Sequence, residues 1–289
     1  MQFRLVGLIL VLLFSLWANG KEFRIAAWNL EHLNANEKEG CLIRTQEDYD
    51  IISESIEDLK YDIVAIQEVK DVAAARRVFS EKDWNIELSK RPPMKATREC
   101  WGLPGQYLQH LATGFAIRKG ISYERNPDYE TVGLDDDFQR WGTDITVLEG
   151  KKVRLLSVHL RTGCWGPAQD EDESRDTTCD TLRSQIQALV GWRDERQEEE
   201  MGFAILGDFN RNLDVPDDWA WSILGSGSNP LHLLTGGIKA KCDQRYPRLI
   251  DHIAVDKTAL QLVVEGSTKE GPRVAEHPDH CAVYTTVQL

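Results

Sequence analysis

Short apolar segments recur along the chain, and their length constrains the fold more than any other feature of the sequence. Residues 62–67 and 203–206 have the length and composition of strands that are buried on both faces. The other segments with strand character are 22–28, 83–88, 113–118, 144–149, 152–160, 249–255 and 282–287. Strands in this number predict that the chain is built around β-sheets.

Helical patterns are fewer than strand patterns. Thr45 and Asp48 are placed as a capping box, and apolar residues follow them at helical spacing. Residues 71–80 have helical character, and another helix is predicted after Thr181. Many strands in mixed order with a few long helices predict an α/β sandwich, with sheets in the middle and helices outside. No linker rich in proline, glycine or serine divides residues 21–289, so they are predicted to form one domain.

Three long stretches have no regular pattern: 89–112, 161–178 and 225–247. Loops on a rigid scaffold carry a large share of binding and catalytic residues. We therefore expect function to concentrate in these stretches.

The first twenty residues have the pattern of a secretory signal peptide. Arg4 precedes the apolar run 5–17, and small residues follow the run before the charged pair at 21–22. The run is shorter than the roughly 20 residues that a transmembrane helix needs. We therefore predict cleavage of residues 1–20 and a secreted or periplasmic protein without a stable membrane anchor. An uncleaved anchor is the alternative.

The cysteine content agrees with export. The chain has six cysteines, an even number, and no pair has the C-x-x-C spacing of a zinc or redox site. Three disulfides are the expected state in an oxidising compartment. Cys164 and Cys179 bracket a polar loop and are the first pair that we expect. Buried free thiols are the alternative.

The charge of the chain is strongly acidic. It has 34 Lys and Arg against 47 Asp and Glu, a formal net charge of −13. An acidic surface repels phosphates, so a phosphate ligand would need a local basic patch or metal ions. Composition therefore argues against a protein that coats DNA electrostatically, but not against an enzyme that acts on phosphates through a metal. The segment 90–98 carries four basic residues and is either such a patch or a solvated loop.

Polar residues follow several predicted strands at the point where the apolar run ends. A buried polar residue costs desolvation unless something uses it. One such residue alone is more often a turn or cap residue, but nine of them with carboxylate, amide or imidazole groups indicate a site. They are Asn29, Glu31, Glu68, His159, Asp208, Asn210, Asp251, Asp279 and His280.

In this order the segments resemble the endonuclease/exonuclease/phosphatase superfamily, which includes DNase I-like nucleases, apurinic-site endonucleases, sphingomyelinases and inositol-phosphate phosphatases. The resemblance extends from about residue 23 to 287. It implies a single-domain, four-layer α/β/β/α sandwich with a site where the two sheets meet at their loop ends. The segments that carry it are 28–29, 66–68, 157–159, 207–210, 250–252 and 278–280.

The resemblance also implies a divalent metal. Hard oxygen ligands select Mg²⁺ or a similar cation such as Mn²⁺ or Ca²⁺, and Mg²⁺ is usually held by one or two carboxylates plus the substrate. Glu68 is the expected principal ligand, with Asn29 beside it. Glu31 and Asp279 are additional candidates.

The remaining residues have implied roles in phosphoester cleavage. Asp208 would orient or deprotonate the attacking water, and Asn210 would donate a hydrogen bond to the phosphate. Asp251 would orient His280, which would contact the phosphate or transfer a proton. His159 would have the same role as His280, from the other half of the sandwich. Arg140 is either a phosphate ligand or a partner in a surface ion pair.

Three functions remain open at this point. The first is a secreted, monomeric, metal-dependent endonuclease with a nucleic-acid substrate. The second is a phospholipase C, sphingomyelinase or inositol-phosphate phosphatase. It is less favoured because neither 89–112 nor 161–178 contains the contiguous apolar loop of a membrane-acting enzyme. The third is a non-catalytic binding relative, which should have lost several catalytic residues.

Trp101 and Trp165 either stack on bases or pack against adjacent disulfides.

Overall fold

The computed structural model describes residues 20–37, 39–93, 98–166, 173–199, 201–228, 230–243, 247–274, 276 and 278–289. The predicted signal peptide, apart from Gly20, lies outside the described residues. None of the helices in the described ranges combines the length and the apolar character needed to cross a bilayer.

The described chain contains fourteen strands and six helical segments. In chain order the strands are β1 (Glu22–Leu33), β2 (Ile63–Val69), β3 (Trp84–Leu88), β4 (Glu99–Cys100), β5 (Leu103–Tyr107), β6 (Ala112–Arg118), β7 (Tyr123–Arg125), β8 (Thr143–Val147), β9 (Val153–His159), β10 (Gly202–Asp208), β11 (His232–Leu233), β12 (Asp251–Val255), β13 (Lys269–Glu270) and β14 (Val283–Gln288). The helices are α1 (Gln46–Asp58), α2 (Val72–Ala75), α3 (Glu173–Arg196), α4 (Trp219–Leu224) and α5 (Lys257–Leu260), with a 3₁₀ turn at Glu130–Gly133.

Two six-stranded sheets form the centre of the molecule. Their strand orders are β13-β14-β1-β2-β6-β3 and β11-β12-β10-β9-β8-β7. Within the first sheet, β1 lies between parallel β2 and antiparallel β14. Within the second, β10 lies between parallel β9 and antiparallel β12. The two halves therefore repeat one arrangement, and a small hairpin, β4-β5, stands apart from both sheets.

The alternation of side chains along β1 shows how the layers form. Phe23 and Ile25 point into the cluster between the sheets, whereas Ala26 and Trp28 point into the cluster beneath α1. Successive side chains of a strand face opposite sides of the sheet, so a strand apolar at every position is covered on both faces. On the second sheet, Trp192 of α3 packs edge-on against Phe203 of β10. The predicted four-layer α/β/β/α sandwich is confirmed.

Several local predictions are confirmed and two are wrong. Thr45 and Asp48 form the predicted capping box. The predicted helix 71–80 is reduced to the single turn α2, because the chain then tightens into i to i+3 hydrogen bonds that bury Phe79 beside Trp84. The guanidinium of Arg76 holds this turn by donating to the carbonyls of Phe79 and Trp84. Helix α3 begins at Glu173, well before the predicted start, so 173–178 is not irregular.

All six cysteines form disulfides, and the alternative of free thiols is wrong. The predicted Cys164–Cys179 pair is confirmed and joins the loop after β9 to α3. The other two pairs are Cys41–Cys100 and Cys242–Cys281.

Side-chain hydrogen bonds join the two sheets near one end of the sandwich, and we call them the intersheet bonds. The pairs are Asn29–Asp208 (2.9 Å), Gln67–Ser157 (3.0 Å) and Thr113–Thr143 (2.9 Å). All six residues are buried. Buried polar groups are costly unless they are hydrogen-bonded, so these contacts favour one relative position of the sheets.

Gly207 lies very close to β9 of its own sheet and close to Gln67 of the facing sheet. Its φ is +141°, and a Cβ at this position would lie 2.1 Å from the Val158 carbonyl oxygen and 3.1 Å from the Gln67 Nε2.

We expect Gly207→Ala to lower the free energy of unfolding by about 3 kcal/mol or more, through backbone strain plus overpacking. Gly237→Ala is the control, because its φ of +76° is also positive but nothing lies within 4 Å. It should cost about 1 kcal/mol. Equal losses in urea denaturation would contradict the steric explanation.

Candidate active site

The candidate active site lies where β1, β2, β9 and β10 end. Sheet register places three of its residues side by side, because Asp208 pairs with His159 on one neighbouring strand and with Asp251 on the other. From the facing sheet, Asn29 reaches Asp208 through its intersheet bond. Residues that are far apart in the sequence thus meet through strand pairing and sheet packing.

Asp208 is at the centre of this arrangement. Its Oδ2 accepts a hydrogen bond from Asn29, and its Oδ1 accepts one from the backbone N–H of Asn210 at 2.7 Å. The same Oδ2 lies 3.5 Å from Nε2 of His159 and 3.9 Å from Nε2 of His280. Burial and, after it, the charge of Asp251 raise the pKa of Asp208, against the opposing effect of His280. A carboxylate with a raised pKa is suited to accepting a proton.

His280 forms a short hydrogen bond with Asp251. Its Nδ1 lies 2.6 Å from Oδ2 of Asp251. Burial lowers the pKa of His280, but the charge and hydrogen bond of Asp251, helped by Asp208 and Asp279, outweigh burial and raise the pKa well above 6.5. The ring is therefore an imidazolium at neutral pH. The second oxygen of Asp251 is buried and has no hydrogen-bond partner in the described part of the chain.

His159 lies between two carboxylates. Its Nε2 is 3.5 Å from Asp208 and 3.8 Å from Oε1 of Glu68. Burial and then the charge of Arg140 lower its pKa well below 6.5, so this ring is neutral where His280 is charged. The two histidines differ in protonation because Asp251 binds only one of them.

Glu68 is held in an unusual backbone conformation. Its φ is +60°, and a positive φ costs energy for a residue with a side chain. Its Oε2 accepts a hydrogen bond from the backbone N–H of His32 at 2.9 Å. Burial raises the pKa of Glu68, but His159, His32 and Arg140 together lower it to about 2. Glu68 is therefore anionic at neutral pH.

Strained backbone accompanies several site residues. Glu31, His32 and Asn210 also have positive φ values, of 44°, 52° and 51°. Such strain persists only where the surrounding structure determines it, and it is common at functional sites. Asn210 is fixed from both ends, since its backbone N–H binds Asp208 and its Nδ2 donates to the carbonyl of Leu160 at 3.1 Å.

Asn29, Glu31 and Asp279 form a chain of contacts. The Oδ1 of Asn29 accepts from the backbone N–H of Glu31 at 2.9 Å, which directs its Nδ2 toward Asp208. The carboxylate of Glu31 accepts from the backbone N–H of Asp279 at 2.8 Å. Asp279 lies 3.8 Å from Nε2 of His280. Glu31 and Asp279 are thus connected to each other and to His280.

Arg140 lies among the charged groups of the site. Its charge acts on Glu68, Asp208 and His159. Within the described ranges its side chain makes no ion pair. The surface ion pair that the sequence left open is therefore not formed with a described residue.

Oxygen donors suited to a divalent cation occur in two places. No described residue donates a hydrogen bond to Oε1 of Glu68, which leaves an anionic oxygen available, as a hard cation requires. Elsewhere, ligand atoms of Asp208, Asp251 and His280 lie within 4.8 Å of one another. In that group the short Asp251–His280 hydrogen bond already uses Nδ1 of the ring. The Nε2 of that ring takes no part in this bond, so both places offer ligand atoms to a cation.

Sequence reasoning missed several residues that support the site. His32 contacts Glu68 with both its backbone N–H and its Nε2, the latter at 3.5 Å. Gln67 and Ser157 supply an intersheet bond, and the guanidinium of Arg44 donates to the backbone carbonyls of Leu30 and Glu31. His32 comes directly after Glu31, a candidate site residue, and this position in the sequence could have identified it. The others act through contacts with backbone or the second sheet, which sequence does not show.

Solved structures share this architecture over almost the whole chain. The endonuclease/exonuclease/phosphatase from Bacteroides vulgatus is 17% identical, with a TM-score of 0.60 over 93% of this chain and 99% of that one. Truncated Caenorhabditis elegans TDP2 is 14% identical, with a TM-score of 0.61 over 93% and 98%. The chain has the DNase I-like fold. The AP endonuclease LMAP from Leishmania major has this fold as well, at 14% identity and a TM-score of 0.55 over 93% and 88%.

The resemblance read from the sequence is confirmed at the level of the DNase I-like fold. No family model matches the sequence, and no curated protein matches it.

The Asp251–His280 pair generates a prediction on pH. Because folding raises the pKa of His280, the contribution of the pair to the free energy of unfolding is complete below pH 6.5. It is lost as the pH rises through the folded-state pKa. NMR titration of the His280 ring should give a pKa above 6.5 in the native protein and a lower one in Asp251→Asn. Asp279→Asn should lower it less, because Asp279 makes a smaller contribution. A titration unaffected by Asp251→Asn would contradict the assignment.

Proposed function

We propose that the protein is a metal-dependent phosphodiesterase that hydrolyses nucleic acid. The observation that carries the proposal is that two carboxylates and two histidine rings, which differ in charge, lie together in one place. A carboxylate with a raised pKa, Asp208, contacts a charged ring, His280, and a neutral ring, His159, and the anionic Glu68 lies beyond. Phosphoester hydrolysis requires a proton acceptor, donors to the phosphoryl oxygens and a means of neutralising their charge.

A divalent cation, Mg²⁺ or a similar ion, would be held by Glu68 with Asn29 beside it. The cation would supply charge neutralisation at the phosphoryl oxygens and at the leaving oxygen. The low pKa of Glu68 keeps it available as a ligand across the physiological range. Glu31 and Asp279 remain additional candidates, and one carboxylate oxygen of Glu31 also holds the backbone of Asp279 and thereby the start of the segment that carries His280.

Different residues of this chain accept the proton and neutralise the charge of the phosphate. Asp208 orients the attacking water and accepts its proton, which its raised pKa favours. His280, kept charged by Asp251, donates a hydrogen bond to a phosphoryl oxygen where negative charge increases. Arg140 neutralises the same charge from the β8 side, and Asn210 supplies the second hydrogen of its amide. His159, as a neutral ring, donates a hydrogen bond to the phosphate without adding charge.

The names of the neighbours favour nucleic acid as the substrate class. Two of the solved structures are described as an AP endonuclease and as the endonuclease domain of a retrotransposon. A strongly acidic protein needs local cations to bind a polyanion, and Arg140 provides one inside the site. The protein is proposed to be a monomer, with residues 1–20 as its signal peptide and 21–289 as its catalytic domain.

Three disulfides favour an oxidising compartment and therefore export, to the periplasm or outside the cell.

A second candidate function is a phospholipase C type reaction, and one observation favours it. The stretch 89–112 has no contiguous apolar loop in sequence, but it contains the hairpin β4-β5 with Trp101 fully exposed between the two strands. Trp101 therefore does not pack on the adjacent disulfide. Exposed aromatic residues on a protruding hairpin are suited to a lipid surface as well as to base stacking. Nucleic acid remains the first proposal because the names of the neighbours favour it.

Glu68→Gln tests the metal-dependent mechanism. The substitution removes the anionic ligand without changing size, so we expect a folded protein whose turnover falls at least about 100-fold. Glu265→Gln is the control, because it removes the same charge from an exposed turn. Turnover is measured on plasmid DNA, RNA, sphingomyelin, a phosphoinositide and a mononucleotide, each with and without EDTA.

Each result of this panel has one consequence. DNA or RNA cleavage that EDTA abolishes supports the proposal, and cleavage of sphingomyelin or phosphoinositide alone supports the second candidate. Activity that survives both EDTA and Glu68→Gln would overturn the metal mechanism. Absence of turnover on all five substrates would indicate a non-catalytic binding relative.

A further inference from the structure

Three arginines and a histidine lie at the candidate active site on the side of β3, β6, β8 and β9. Arg91 follows β3, His110 precedes β6, Arg140 precedes β8 and Arg161 follows β9. These strands are neighbours within their sheets, and pairing of Leu88 with Gly114 brings the end of β3 beside the start of β6. We call Arg91, Arg140 and Arg161 the arginine cluster.

The contacts of Arg91 hold one side of the arginine cluster. Its Nη1 donates to the carbonyl of Asp137 at 2.6 Å, and its Nη2 lies 3.1 Å from Nδ1 of His110. Burial, followed by the charges of Arg91 and Arg140, lowers the pKa of His110 to about 4, so this ring is neutral and accepts the hydrogen bond. Arg91 is the buried residue of the basic segment 90–98, whereas Lys90 and Arg98 are exposed and Lys95 lies outside the described residues.

Arg140 and Arg161 have unused donors. Neither side chain makes an ion pair or a hydrogen bond with the described residues, and the Nε of Arg161 is buried without a partner. Burial lowers the pKa of Arg140, Glu68 and Asp208 raise it, and the like charge of Arg161 lowers it again. Burial and then the charge of Arg140 lower the pKa of Arg91. Like charges kept together with free guanidinium donors favour a bound anion, and guanidinium groups bind phosphate through two parallel hydrogen bonds.

The opposite side of the site is different in charge. A groove of about 1190 Å³ touches His280 and Asp251. Trp165 lines it, and its charged lining residues are six acids, Asp217, Asp218, Asp243, Asp251, Glu270 and Asp279, against Arg211, Arg248 and His280. This excess of carboxylates disfavours a chain of phosphates. Beyond the scissile phosphate, the groove is therefore not the path of a charged backbone.

We propose that the arginine cluster binds the phosphate next to the scissile one on a nucleic-acid strand, so that the backbone crosses the β6, β8 and β9 side of the site and not the large groove. This inference rests on the proposed nuclease function. It assigns Arg91 and Arg161 to substrate binding and gives the strand a fixed direction across the site. Only one of the two neighbouring phosphates, on the 5′ or the 3′ side, then contributes to binding.

Thymidine dinucleotides test this one-sidedness directly. TpT has only the phosphodiester, pTpT adds a 5′ phosphate, and TpTp adds a 3′ phosphate. Dissociation constants are measured by NMR titration in EDTA, where hydrolysis does not occur, with the Arg Nε–H signals as the readout. We expect one of pTpT and TpTp, but not both, to bind native protein about tenfold more tightly than TpT.

The variants locate the extra affinity. Arg161→Gln should abolish the gain from the terminal phosphate while leaving TpT binding within about twofold, and Arg161→Lys should retain part of it because the charge remains. Lys119→Gln removes one positive charge beyond the opposite end of β6 and should keep the full gain. Equal binding of the three dinucleotides, or a gain that survives Arg161→Gln, would overturn the proposal.

Hydrolysis of the same dinucleotides in Mg²⁺ separates this inference from the proposed function. A gain in affinity that depends on Arg161 without any hydrolysis retains the phosphate subsite and removes the phosphodiesterase. Hydrolysis without such a gain retains the phosphodiesterase and removes the subsite.

Discussion

The hydrogen bond between Asn29 and Asp208 is the contact on which the rest of the site depends. It crosses between the sheets at 2.9 Å, and both residues are almost completely buried. A buried carboxylate is tolerated only when its oxygens are satisfied, and here the donors come from β1 and from the loop after β10. The same hydrogen bond therefore joins the two sheets and positions the proposed proton acceptor, Asp208. Gly207, directly before Asp208, leaves room for the backbone of β9 and for Gln67 of the facing sheet.

The loops around this contact are held by covalent bonds. Cys281 follows His280 directly and links it to the loop that contains Cys242, at the edge of the acidic groove. Cys164–Cys179 similarly ties the loop after β9 to α3. Loops with few buried apolar contacts lose less entropy on binding when they are already constrained. Disulfides thus position side chains that the core of the sandwich does not reach.

Much of the fold and part of the site were predictable from local sequence. Short apolar runs predicted buried strands because a strand covered on both faces needs apolar residues at every position. Polar residues at strand ends predicted a shared site because strand ends lie at one edge of a sheet. The exposure of Trp101, the early start of α3 and the role of Glu31 as a backbone acceptor were not predictable. The contact of Glu31 is with a residue distant in sequence, and no local pattern of residues reports such a contact.

Anomalous X-ray diffraction from crystals soaked in Mn²⁺ tests the central claim most directly. The account predicts one site in this region, with Mn²⁺ coordinated by the carboxylate of Glu68 while the Asp251–His280 hydrogen bond stays intact. A Mn²⁺ ion bound instead by Asp208, Asp251 and His280, with that hydrogen bond broken, would contradict the account. It would show that the proposed proton-transfer residues are themselves the metal ligands.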